Sequence, residues 1–118
     1  MTKPQTYEGD TRHVGVRSAD EVEQAFAELE AGAAAPNRQT QLSRGSLAGY
    51  LWALGRADAA PVTGARDEDL PDLARLTAEV DATMVELENQ TQRTLPRDYT
   101  QGVHDVLAWV CGHADTRP

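Results

Sequence analysis

Cys111 and His113 stand one residue apart, with Asp115 just beyond them and His104 two helical turns before. Thiolate, imidazole and carboxylate are the ligand types of a zinc site, which needs three or four of them at one point. Spacing alone does not close such a site. A repeat described below aligns Cys111 with Leu54, an apolar helix position, so a buried, inert thiol accounts for the cysteine and no metal is expected. His113 aligns with Arg56, beyond a helix end. Acids recur as Glu28-x-Glu30 and Glu86-x-Glu88, a spacing that splays them around a helix and marks a solvated face. Asp58 and Asp115 each follow Gly-x-Ala, where capping or an Asx turn explains them better than a carboxylate site. The aromatic candidates are Trp52, Trp109 and Tyr50, read as partner-binding anchors because tryptophan and tyrosine dominate interface hot spots. Packing inside the fold is the competing reading for the two tryptophans, and their place at the edge of the apolar stripes leaves partial exposure open.

These residues belong to a stretch that occurs twice. Gly45, Trp52, Gly55, Ala57, Asp58 and Pro61 recur as Gly102, Trp109, Gly112, Ala114, Asp115 and Pro118, offset by 57 positions without a gap. Farther back, Glu21–Glu30 matches Glu79–Glu88 at five of ten positions. The doubling implies a helix–loop–helix unit present in two copies, 18–61 and 68–118, preceded by an extended or flexible segment over 1–17. Within that segment His13-Val14-Gly15-Val16 is strand-like.

Periodicity places four helices. The first spans Ser18 to Glu30, with Ser18 and Glu21 at capping-box spacing and Val22, Phe26, Leu29 and Ala33 on one face. The second runs from about Ser43 to Leu54 with Leu47, Tyr50, Leu51 and Leu54 apolar and Gly55 as its cap. The third covers roughly Glu68 to Gln92, with Pro71 in its first turn and Leu73, Leu76, Val80, Met84 and Leu87 as its stripe. The fourth runs from near Pro96 to Cys111, with Val103, Val106, Leu107 and Val110 apolar and Gly112 as its cap. Gly45 and Gly102 cost helix stability, and that recurring cost points to close helix approach.

The chain's 118 residues bound it to one modest core. Hydrophobic residues make up 40% and aromatics only 5%, so the core is aliphatic and alanine-rich, which suits helices. A net charge of −8 disfavours direct binding to nucleic acid. Ten arginines against Lys3 alone suggest a GC-rich, bacterial genome. The single cysteine permits no intrachain disulfide, and neither a signal core nor a membrane-length apolar run is present, so a cytoplasmic protein is expected.

Arg97-Asp98-x5-His104 resembles the Arg-polar-x-His signature of HEPN-type ribonucleases, small helical bundles that use that arginine and histidine on RNA as dimers. The resemblance covers eight residues and implies a catalytic Arg97 and His104. A second comparison fails: all-α nucleotide pyrophosphohydrolases hold Mg²⁺ through Glu-x-x-Glu and Glu-x-x-Asp, and the acids here are not stacked in that way. Phosphate loops, nucleophile elbows and zinc-helix motifs are absent from the sequence.

The combined reading is an all-α chain, two duplicated helical hairpins packed as a four-helix bundle. Its expected function is non-enzymatic: docking of a protein partner in regulation or assembly, without a cofactor and compatible with a homodimer. The alternatives are an acidic DNA mimic that blocks a nucleic-acid-binding protein, and the HEPN-like ribonuclease.

Overall fold

The computed structural model describes residues 12–33, 40–66, 70–89 and 95–118. A two-residue strand pair, β1 (His13–Val14) and β2 (Arg17–Ser18), leads into α1 (Ala19–Ala33), α2 (Gln41–Ala53), α3 (Leu73–Glu88) and α4 (Arg97–Val110). The four helices form a compact, mostly helical bundle, as the periodicity required.

Local chemistry sets the boundaries. The Glu21 amide donates to Ser18 Oγ ahead of α1. A capping box between Thr40 and Ser43 starts α2 two residues earlier than the apolar pattern suggests. Helix α3 is shorter than expected, because the Asp72 carboxylate accepts the Arg75 amide and fixes the N-terminus after Pro71. The expected extensions to Glu68 and Gln92 fall outside the described residues. Gly55 and Gly112 end α2 and α4 with φ of 76° and 82°, the left-handed conformation that glycine adopts without strain.

Two glycines bring α2 and α4 together, and this is the most extensive helix interface of the fold. A methyl group on Gly45 would lie 1.9 Å from the Tyr99 carbonyl oxygen, and one on Gly102 would lie 2.2 Å from the Leu42 carbonyl oxygen. The contact is reciprocal: each glycine rests on the residue three before the other, and the sequence repeat aligns both pairs. Between them Gly49 lies against Val103 and Val106. Helix α1 packs on α2, and α3 on α4.

The two hairpins also cover one another's ends. Leu70, leading into α3, lies over Gly55, while Val16, leading into α1, lies over Gly112. The described end of the lead-in is therefore folded and not merely extended: residues 12–18 turn back on α4, with the Val16 amide donating to the Val110 carbonyl at 2.9 Å.

Burial follows the predicted stripes on α1 and α4, where Val22, Phe26, Val103, Val106, Leu107 and Val110 are buried. It departs from them on the other two helices. On α2 the small-residue face (Gly45, Ser46, Gly49) goes inward with Tyr50, Trp52 and Ala53, because only small side chains permit the approach to α4. On α3 the buried arc is Leu76, Glu79, Val80 and Thr83, which leaves Leu73 and Met84 each 46% exposed.

Candidate functional site

The three aromatic residues read as docking anchors lie inside the fold. Tyr50 is fully buried, and Trp52 and Trp109 are 6% and 2% exposed. Tyr50 packs edge-on against Phe26 and Trp109, with centroids 6.3 and 6.5 Å apart. This corrects their assignment as a docking surface. The stripe of large aliphatics on α2 is only half-buried, and the rings take the deeper positions beside α4. Burial raises the Tyr50 phenol to about 12; nearby Arg117 opposes the shift and Glu28 adds to it. Its hydroxyl has no hydrogen-bond partner among the described residues. Trp109 is covered by Arg17, whose guanidinium sits 4.6 Å from the ring centroid and donates to the Trp109 and Ala114 carbonyls.

Cys111 is buried, and burial raises its thiol above the usual range, which disfavours the reactive thiolate. His113 is exposed beyond the Gly112 cap, so the two side chains of the Cys-x-His pair point into different environments. Among the described residues no three His, Cys, Asp or Glu side chains are placed to share a metal ion. On α1, Glu23 pairs with Arg56 and Glu28 with Arg117. Asp58 and Asp115 are exposed, after the helix ends.

Arg97 and His104 lie seven residues apart on α4, two turns and about 10 Å along one face. Gln101 and Asp105 share that face and are joined by a 2.8 Å hydrogen bond. His104 Nδ1 is 3.0 Å from Thr83 Oγ1, and Thr83 Oγ1 is 2.5 Å from the Val80 carbonyl oxygen. The threonine has one hydroxyl proton, and the short approach to Val80 commits it there. Thr83 must then accept from His104 Nδ1–H. The contact fixes the orientation of the ring, with Nδ1 turned to Thr83 and Nε2 as the nitrogen away from it. Arg97 is exposed at the start of the helix.

Two features escaped the sequence reading. Glu79, 2% exposed, lies at the level of the core. Its Oε2 accepts the Val62 and Thr63 amides at 2.6 and 3.0 Å, and its Oε1 accepts the Thr63 hydroxyl at 2.8 Å. It fastens the segment between the hairpins to α3. The only signal was an acid between the buried Leu76 and Val80. The second feature is a set of exposed apolar side chains on α3 and its lead-in. Leu70, Leu73, Met84 and Val85 are 48%, 46%, 46% and 65% exposed, and only Val16 and Leu42 among the other described large hydrophobics are comparably open. The repeat aligns Met84 with Phe26, which is buried under Arg56.

Comparison of the chain with models of protein families, with curated proteins and with solved structures returns no match. Among the described residues no helix is long and apolar enough to cross a membrane.

Proposed function

We propose that the protein is a non-enzymatic docking module that binds a protein partner through the outer face of α3. One observation carries this reading: among the described residues, four of the six large hydrophobics left open to solvent belong to α3 and its lead-in. Isolated exposed hydrophobics are ordinary, and the reading rests on Met84 and Val85, adjacent on α3 and both open to solvent. Asp81 and Glu88 flank these residues, so a partner with an apolar patch bordered by basic side chains complements the face. The same reading takes the two hairpins as copies of one unit, and the reciprocal glycine contacts support it. One copy covers Phe26, while the other leaves Met84 for a partner.

The test is capture from extracts of the source cell on immobilised wild type and on a Met84→Glu, Val85→Glu variant. Both substitutions are at exposed positions and should leave the helical content unchanged. Specific capture by the wild type and its loss in the variant are expected; equal capture by the two would overturn the assignment.

The hydrogen bond that fixes the His104 ring against Thr83 motivates a second reading, an RNA-cleaving site of Arg97 and His104. Nε2 would take the proton from a ribose hydroxyl and the guanidinium would hold phosphate. Cleavage of RNA by the wild type, abolished by His104→Ala, is the required result. An inactive wild type ends this reading.

A further inference from the structure

On the outer side of α3, Met84 and Val85 stand between two acids, Asp81 and Glu88, and all four are exposed. We propose that this patch receives an α-helical segment of a partner protein that carries two arginines seven residues apart with aliphatic residues between them. The inference rests on the docking reading above and adds the chemistry of the partner.

The first observation is the geometry of the patch. Asp81 precedes Met84 by three residues and Val85 by four, and Glu88 follows them by four and three. At those spacings side chains are neighbours on a helix surface, so two carboxylates bracket two apolar side chains. The carboxylates stand two turns, about 10 Å, apart along the axis. A helix packed alongside presents residues seven apart at the same interval, with the side chains between them over the middle of the patch.

The second observation is that these acids are unpaired. Among the described residues no cation pairs with Asp81 or Glu88, whereas the acids of α1 are neutralised from within the fold. There Phe26 stands between Glu23 and Glu28. Arg56 pairs with Glu23 and lies 5.7 Å from the Phe26 ring centroid, and Arg117 pairs with Glu28. The repeat puts His113 in the place of Arg56, and that side chain is exposed beyond Gly112. The cover that α1 receives from two arginines of its own chain is the cover that α3 lacks. It also favours arginine over lysine: a planar, weakly hydrated guanidinium lies on an apolar side chain while it pairs with a carboxylate, as Arg56 does. A second copy of this chain is a poor occupant, because α3 against α3 sets acid against acid in a chain of net charge −8.

The experiment titrates ¹⁵N-labelled full chain with three alanine-based helical peptides, each with a Leu-Leu pair midway between two identical residues seven apart. Those two residues are arginine, lysine or citrulline, the last a neutral isostere of arginine. The arginine peptide should shift the amides of Asp81, Met84, Val85 and Glu88 and bind about tenfold more tightly than the citrulline peptide, as for two exposed ion pairs, with lysine between. Salt at about 0.5 M should erase that preference. So should Asp81→Asn combined with Glu88→Gln, two substitutions at exposed positions that should leave the fold intact. Equal binding of the arginine peptide and either of the others at low salt, an arginine preference that survives in the double variant, shifts confined to α1, or no shifts at millimolar peptide would each overturn the proposal. Capture from extracts separates this inference from the docking reading. Capture lost with Met84→Glu, Val85→Glu but kept with Asp81→Asn, Glu88→Gln overturns the arginine inference alone; capture that survives both overturns the docking face itself.

Discussion

Replacing Gly45 with alanine adds one methyl group to the tightest point of the fold. In a solvent-facing helix the change would stabilise by about 1 kcal/mol, since alanine is the better helix former. Here the new carbon would lie 1.9 Å from the Tyr99 carbonyl oxygen and 2.7 Å from its carbonyl carbon. Both atoms are backbone, so no rotamer change relieves the clash. An ordinary contact of about 3.3 Å or more requires α2 and α4 to separate by over 1 Å, which loosens the packing of Gly49 on Val106 as well. Overpacking of a well-filled core costs ~1–3 kcal/mol, and a rigid backbone neighbour places this site at the upper end. Net of the propensity gain, we expect ~2 kcal/mol of destabilisation, or a fall in Tm of roughly 8 °C or more at this chain length. Gly32→Ala is the control: it lies at an exposed position near the end of α1 with nothing within 4 Å of the added carbon, and should stabilise by up to about 1 kcal/mol. Urea unfolding followed by circular dichroism measures both. A Gly45→Ala variant as stable as Gly32→Ala would refute the close-approach argument.

Three further outcomes follow from the geometry. Glu79→Ala leaves the Val62 and Thr63 amides without their acceptor and should cost ~3 kcal/mol, read from the urea midpoint, with Glu79→Gln milder because one carbonyl oxygen survives. Stability should fall as pH rises from about 10 towards 12, because the unfolded chain ionises Tyr50 first while the folded state holds its proton up to about 12; two pKa units correspond to ~3 kcal/mol, and Tyr50→Phe should flatten this part of the profile. Cys111, buried and with its thiol raised, should react with an aromatic disulfide reagent only as fast as the chain unfolds, and immediate reaction in native buffer would contradict its placement.

Much of this fold can be read from local chemistry. The Ser18 cap, the glycines at 55 and 112 and the aliphatic face of α4 are decided within a few residues. The repeat adds a longer-range fact, since two costly helix glycines in register announce a helix crossing. What could not be read is which way a helix turns when several arcs of similar hydrophobicity compete. On α3 the run Leu73, Met84, Leu87 looks as apolar as Leu76 and Val80, and contact with α4 and the Glu79-bound loop decides between them. Glu79 itself is buried only because loop amides from another part of the chain converge on it, a condition that no local pattern encodes. The tryptophans were ambiguous for a similar reason: their depth depends on how close α2 and α4 approach, which the glycines set.

The central claim is that α3 presents its outer face to a protein partner. It is tested most directly by placing a photo-crosslinking amino acid at position 85 in the source cell, with position 27, the exposed counterpart on α1, as control. The account predicts a discrete adduct with another protein from position 85 and none from position 27. The same adducts from both positions, none from position 85, or an adduct composed only of two copies of this chain would contradict it.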